Sequence, residues 1–209
     1  MTQADHLKQL TDIREIMEKS SRFISLSGLS GVFAGFFALV GAGIFYYYCL
    51  NQLGVDILTS NHTHLLILDE NTMLYGLFIA TIILVLSIGC GIYFTTRKAK
   101  RKGLQVWHST TWRLLINLAI PLVTGGLFCL MLLKYGLFSM VAPCTLIFYG
   151  LALLNGSKYT LEEIRYLGIS EIVLGLLSMY FIGFGIIFWV IGFGILHIVY
   201  GWYMYKQHG

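Results

Sequence analysis

Residues 167–205 read LGISEIVLGLLSMYFIGFGIIFWVIGFGILHIVYGWYMY. This stretch is about twice as long as the roughly 20 apolar residues that cross a hydrocarbon core of about 30 Å. Its only acidic or basic side chains are Glu171 and His197, and Gly183 and Gly185 lie near its middle. Because glycine adopts the backbone angles of a tight turn without strain, we expect a hairpin of two spanning helices rather than one long tilted helix.

Four further apolar stretches precede this hairpin. Hydrophobic residues make up 57% of the 209-residue chain and charged residues only 11%, against about 25% charged residues in soluble domains. The fold class predicted is therefore all-α, a polytopic membrane bundle of six transmembrane helices in one domain, residues 25–206. The expected spans are about 26–50, 73–95, 114–133, 137–154, 167–183 and 187–205.

The basic residues predict the orientation of the bundle. With six spans, all fourteen Lys and Arg residues except Lys134 fall on the side that also holds both termini. An excess of basic residues marks cytoplasmic segments, so we expect both termini in the cytoplasm. The run RKAKRK at 97–102 serves as this topology signal or contacts anionic lipid.

The first 24 residues predict an amphipathic helix on the cytoplasmic side. Leu7, Leu10, Ile13 and Met17 recur at three-to-four spacing between charged residues. Such a helix can lie on the membrane surface, dock under the bundle or pair with another subunit. The segment is too polar for a signal peptide.

Small residues form stripes on three of the predicted helices. A stripe without bulky side chains lets another membrane helix approach closely, so we assign these residues to helix packing. The partner of each stripe lies in the same chain or in a second copy, which leaves a homo-oligomer open. The packing residues are Gly28, Gly31 and Gly35 on the first helix, Gly175 on the fifth, and Gly194 and Gly201 on the sixth.

Polar residues predict a pocket in the cytoplasmic half of the bundle. Glu171 and His197 lie on the glycine-marked faces of helices five and six, about one helical turn apart in depth. Arg113, Asn117 and Asn155 lie at a similar depth. The five residues form either an internal hydrogen-bond network that fixes helix order, or a pocket for a small molecule, a proton or a metal.

Other site chemistry is weakly supported. His62 and His64 in the loop after the first helix are weak candidates for a metal site, together with Asp69 or Glu70. The four cysteines show no CxxC spacing, which favours inert buried thiols. No nucleotide-binding or nucleophile-elbow motif occurs, so we expect membrane lipid as a partner, no nucleic acid, and no identifiable cofactor or catalytic residue.

Three stretches carry a resemblance to a known family. They are LTDIREIMEKSSRFISLSGLSGVFAG at 10–35, KYTLEEIRYLGISEIVLGLLSMY at 158–180 and FWVIGFGILHIVYGWYMY at 188–205. Together they resemble a family of uncharacterised small bacterial multi-pass inner-membrane proteins, some of which are labelled as carotene-cleaving oxygenases. The resemblance implies a bacterial inner (cytoplasmic) membrane. The oxygenase label finds no support, because the histidines of this chain are split between two sides of the membrane.

Three functions are compatible with these features. The leading hypothesis is a non-enzymatic regulatory or accessory protein that binds a lipid or small apolar molecule in the bundle and signals through its N-terminal amphipathic segment. An alternative is a small proton-coupled transporter in which Glu171 and His197 relay the proton. A further alternative is an intramembrane enzyme acting on lipid, but neither Ser170 nor Ser178 is spaced as a nucleophile beside a base.

Overall fold

A computed structural model of the chain describes residues 26–53, 70–103, 107 and 109–208. The predicted amphipathic helix over residues 1–24 and the loop histidines His62 and His64 lie outside these residues.

The described residues form helices and contain no strand, which confirms the all-α prediction. Short 3-10 helices, Phe138–Met140 and Ser157–Tyr159, flank the fourth helix. The helices are α1 (Gly28–Leu53), α2 (Glu70–Arg101), α3 (Ser109–Lys134), α4 (Val141–Gly156), α5 (Glu163–Tyr180) and α6 (Gly185–His208).

Five of these helices are long and apolar enough to cross a membrane, which indicates a multi-pass membrane protein. They are α1, α2, α3, α4 with its flanking 3-10 turns, and α6. The remaining helix, α5, has 18 residues and carries three charged side chains, Glu163, Arg165 and Glu171. Two of these, Glu163 and Arg165, lie in its first turn, so the charge of α5 is concentrated at one end.

Two helix ends differ from the sequence prediction. Helix α2 ends at Arg101 rather than near residue 95, because Lys and Arg favour helical structure and are stabilised at a helix C-terminus. Helix α5 ends at Tyr180 rather than near residue 183. Gly183 has a φ of 106°, a left-handed value that a helix cannot contain, so the chain turns there before α6 begins.

The α1–α6 contact is made by glycines. A Cβ atom at Gly201 would lie 2.6 Å from the Val32 backbone nitrogen, and one at Gly28 would collide with the Tyr205 backbone. Gly35 lies against the Gly194 carbonyl in the same way, and Gly31 against Gly201. The partner of the α1 stripe is therefore α6 of the same chain.

The contact between α4 and α5 is also made at glycines. A Cβ atom at Gly150 would lie 2.6 Å from the Gly168 carbonyl oxygen, and one at Gly175 would lie 2.6 Å from the Ile147 side chain. Gly168 and Gly175 of α5 thus face α4, and Gly194 and Gly201 of α6 face α1. Helices α5 and α6 are joined by a tight turn, but their glycine stripes do not pack against each other.

Polar contacts gather several helix termini at one end of the bundle. Lys98 Nζ donates to the Leu26 carbonyl (3.0 Å), and Lys102 Nζ donates to the His208 carbonyl (3.2 Å). His208 Nε2 lies 2.8 Å from Glu163 Oε1. The starts of α1 and α5 and the ends of α2 and α6 therefore meet. We call this the basic end, and the end that holds Lys134 the opposite end.

Replacing Gly201 by Ala should destabilise the bundle. The added methyl group would meet backbone atoms of Gly28 and Val32, which cannot move aside as a side chain can, so the unfolding free energy should fall by about 1–3 kcal/mol. Thermal unfolding of purified protein in detergent measures the loss. Gly89→Ala on α2 is the matched control, since nothing lies within 4 Å of a Cβ there. Equal melting temperatures for the two variants would contradict the assigned contact.

Candidate functional site

Glu171 is a wholly buried side chain at the junction of three helices. It lies on α5 between Gly168 and Gly175, the two glycines that bring α5 against α4. Its carboxyl group occupies space left by Gly192 of α6, where a Cβ atom would collide with Glu171 Oε2 and lie 2.6 Å from Leu146 Cδ2. The missing side chain at position 192 therefore makes the room for this carboxyl group.

His197 is buried beside Glu171 and uses both ring nitrogens. Its Nδ1 atom lies 3.0 Å from the Gly192 carbonyl oxygen, and its Nε2 atom lies 2.7 Å from the Tyr149 hydroxyl. A carbonyl oxygen can only accept, so Nδ1 carries the hydrogen. In the neutral ring Nε2 then accepts the hydrogen bond that Tyr149 donates.

Glu171 competes with Gly192 for the same N–H group. Its Oε1 atom lies 3.4 Å from His197 Nδ1, within reach of an ion pair, but the N–H points at the Gly192 carbonyl. Neither oxygen of the Glu171 carboxyl group receives a hydrogen bond from the residues that the structure describes. One donor, the His197 Nδ1–H group, therefore faces two acceptors, the Gly192 carbonyl and the Glu171 carboxyl group. Leaving a buried polar group such as this carboxyl without a hydrogen bond costs free energy.

A π-helix in the middle of α6 brings His197 and Gly192 together. It covers Val190–Leu196, between the α-helical segments Gly185–Trp189 and His197–His208. Residues five apart align along the axis of a π-helix, which places the His197 ring over the Gly192 carbonyl. The His197 backbone N–H bonds to the Gly194 carbonyl, and the Gly192 carbonyl accepts from the His197 ring. Such segments occur frequently at functional sites.

Aromatic rings enclose the imidazole. The Phe193 ring stacks on His197 at 5.8 Å between centroids and packs on Tyr149 at 4.9 Å. Trp189, one turn before Phe193 in α6, packs on the Phe193 ring with 4.9 Å between ring centroids. These contacts hold the imidazole plane in place, so its hydrogen bonds change by proton movement or by a shift of α6 rather than by free rotation.

A second polar group links α3 to α4. Asn155 Nδ2 donates to the Asn117 carbonyl (3.0 Å) and lies 3.1 Å from Asn117 Oδ1. That carbonyl is available because Pro121, four residues on, has no N–H to bond it. Asn117 Nδ2 bonds to the Arg113 carbonyl (2.8 Å), and Lys158 Nζ lies 3.5 Å from Asn155 Oδ1.

The five residues predicted to form one pocket fall into these two groups. Glu171 and His197 meet, whereas Arg113, Asn117 and Asn155 form the α3–α4 link, in which Arg113 contributes its backbone carbonyl. A ligand or proton role for them stays a prediction. Sequence reasoning did not include Tyr149 and Gly192 in the site. The available signals were a tyrosine hydroxyl at the depth of His197 and the first glycine of the second GFG motif.

No group of three His, Cys, Asp or Glu side chains suited to a metal occurs within residues 26–53, 70–103 and 109–208. Comparison of the chain with family models, curated proteins and solved structures finds no match. The chemistry of the site must therefore be argued from its geometry, and the family resemblance stays a prediction.

Replacing Gly192 by Ala should lower stability through Glu171. The methyl group would displace the carboxyl group and Leu146, at a cost of about 1–3 kcal/mol in unfolding free energy. Adding Glu171→Ala to Gly192→Ala should recover part of this loss, because the shorter side chain vacates the space. Thermal unfolding of the two single variants and the double variant tests the contact, and strictly additive losses would contradict it.

Replacing Asn155 by Ala should weaken the α3–α4 link. The change leaves the Asn117 carbonyl without a donor, so we expect a loss of about 1–3 kcal/mol in unfolding free energy. Asn51→Ala is the control, because the bond that Asn51 makes to the Tyr47 carbonyl is local to its own helix and lies at an exposed helix end. Denaturation of the two variants in parallel should separate them by several degrees. Similar melting temperatures would show that the Asn155 bonds contribute little.

Proposed function

We propose that this chain is a non-enzymatic regulatory membrane protein in which the Glu171–His197–Tyr149 site takes up and releases a proton. The observation that carries the proposal is the wholly buried Glu171 carboxyl group, 3.4 Å from His197 Nδ1 and without a hydrogen-bond donor among the described residues. Ionisable residues inside a membrane bundle commonly mark proton or ligand sites.

The proposal includes six spanning helices with both termini in the cytoplasm of a bacterial inner membrane. Helix α5 packs antiparallel along α4, as its glycine contacts run from Gly168–Gly150 to Gly175–Ile147, so it crosses the same depth as its partner. Its charged residues Glu163 and Arg165 then lie at the basic end, where His208 contacts Glu163. The positive-inside rule supports placing that end in the cytoplasm.

The protonation state of Glu171 would determine which acceptor receives the hydrogen bond from His197 Nδ1–H. An ionised carboxylate is a stronger acceptor than a carbonyl, so it draws the Nδ1–H away from Gly192. A protonated carboxyl group leaves this hydrogen to the Gly192 carbonyl. The protonation state of Glu171 thus selects whether the imidazole bonds to Glu171 or to Gly192. In the second arrangement the imidazole bonds a carbonyl that belongs to the π-helix.

A change of hydrogen bonding in the π-helix can alter the conformation of the rest of α6. The imidazole bond to the Gly192 carbonyl is one contact of the π-helix, so its loss would favour a return of Val190–Leu196 to α-helical bonding. Such a change rotates the C-terminal half of α6. That half ends at the basic end, where Lys102 bonds to the His208 carbonyl. A proton bound in the bundle would therefore move a cytoplasmic surface.

A proton-coupled transporter is the second candidate. The observation that favours it is the row of three titratable groups, in which the Tyr149 hydroxyl bonds to His197 Nε2 and His197 Nδ1 lies 3.4 Å from Glu171 Oε1. Transfer of the Tyr149 proton to Nε2 with transfer of the Nδ1 proton to the Glu171 carboxylate would move one proton along the chain. Under this alternative, reconstituted protein shows a pH-dependent flux that Glu171→Gln abolishes.

A lipid-acting enzyme receives less support from the geometry. Ser170 Oγ donates to the Tyr166 carbonyl on its own helix (3.0 Å). Ser178 lies about two turns from Glu171, beyond the hydrogen-bond distance between a nucleophile and its base.

Infrared difference spectroscopy across a pH titration tests the proposal. In lipid nanodiscs the wild-type protein should show a carboxylic-acid C=O band that changes with pH and disappears in Glu171→Gln. Glu163→Gln is the matched control, because Glu163 lies on the same helix beside His208 at the basic end. A pH-dependent band that survives Glu171→Gln would overturn the assignment.

A second readout separates regulation from simple titration. Trp189 precedes the π-helix, so its fluorescence in a variant with the other tryptophans replaced by Phe should report a rearrangement of α6. We expect a pH-dependent change in the emission of Trp189 that Glu171→Gln removes. Unchanged emission while the infrared band titrates would show that the proton binds without moving α6.

A further inference from the structure

Two buried serine hydroxyl groups lack, within the described part of the chain, the hydrogen bonds that other hydroxyl groups in the helices make. Thr81, Thr145 and Ser170 each bond to a carbonyl three or four residues back in their own helix. Ser139 Oγ and Ser178 Oγ are buried and have no partner among the described residues, as is also true of both Glu171 oxygens. Buried polar atoms without a protein partner commonly bind water or a ligand.

Both serines lie toward the opposite end of the bundle. Ser178 is seven residues after Glu171 on the same face of α5, about 10 Å further from the basic end. Ser139 lies in the 3-10 helix that precedes α4, and a Cβ atom at Gly185 would be 3.9 Å from its carbonyl oxygen. The two hydroxyl groups therefore lie where α4 begins, α5 ends and α6 begins.

An apolar cluster closes the other side of the site. Leu167 precedes Glu171 by one turn, Leu153 follows Tyr149 by one turn, and Met204 follows His197 by two turns, all toward the basic end. These side chains pack together with Leu161 and Ile164 and are at most 8% exposed. Water that came from the basic end would have to cross this cluster.

We infer that Glu171 exchanges its proton with water that enters from the opposite end, past Ser139 and Ser178, rather than from the basic end. The inference rests on the proposed proton site and adds its route and its side. The titratable groups that face Glu171 within the described chain are His197 from α6 and Tyr149 from α4. With the basic end in the cytoplasm, the protein responds to acidity outside the cell.

Deuterium exchange at the Glu171 carboxyl group measures this route. Rapid mixing of nanodisc-embedded protein with D2O shifts the C=O band of the protonated acid, and the rate of the shift reports access of water. Removing one hydroxyl group from the route should slow exchange roughly tenfold in Ser178→Ala. Ser170→Ala is the matched control, since its hydroxyl group lies on the same helix but is bonded to Tyr166.

The outcomes separate the inference from the proposed function. Slow exchange in Ser178→Ala with wild-type exchange in Ser170→Ala supports the route. Equal exchange rates in both variants, whether slowed or not, overturn it while leaving the proton site intact. A wild-type spectrum without a Glu171 band overturns the proton site and the route together. If Ser178→Ala does not fold, Ser139→Ala replaces it and should show the same slowing.

Discussion

Close contact between helix backbones is the constraint on which this structure depends. Lipid gives helices no hydrophobic reason to associate, so the bundle relies on packing where side chains are absent. Gly28 and Gly201 let α1 meet α6, and Gly150 and Gly168 let α4 meet α5. Each contact joins backbones so closely that even a methyl group would collide. These contacts fix the spacing of α1 against α6 and of α4 against α5, while the missing side chain of Gly192 leaves the space that the Glu171 carboxyl group fills between α4, α5 and α6.

Gly192 shows how this packing produces a polar site. Its missing side chain gives room to the Glu171 carboxyl group, and its carbonyl takes the His197 hydrogen that the carboxyl group would otherwise receive. One residue therefore creates the space for an acid and removes its donor. The π-helix makes this possible, because it aligns the His197 ring with a carbonyl five residues earlier.

The sequence predicted where the helices lie along the chain better than it predicted which helices contact each other. Apolar length alone located the five long spans, and the GFG turn located the hairpin, since both depend on local composition. Glu171 and His197 could be paired because their depths follow from residue counts. The partners of each glycine stripe could not be read from one sequence, because a stripe marks a close contact without naming the other helix. The π-helix was also beyond prediction. The glycines at 192 and 194 mark close contacts with Glu171 and Leu39, and a close contact does not specify the bonding pattern of the backbone.

The surroundings of the site are unequal on its two sides, and this bears on which function fits. A carrier must open its site to both sides in turn, whereas a sensor needs access from one side only. Toward the basic end the site meets Leu153, Leu167 and Met204, which pack as a continuous apolar cluster. Toward the opposite end it meets the hydroxyl groups of Ser139 and Ser178, which receive no hydrogen bond from the residues described. To carry protons across, the bundle would have to break the apolar cluster, which also joins α4, α5 and α6. A site with hydroxyl groups on one side and an apolar cluster on the other instead favours a protein that registers protons and transmits the result through α6.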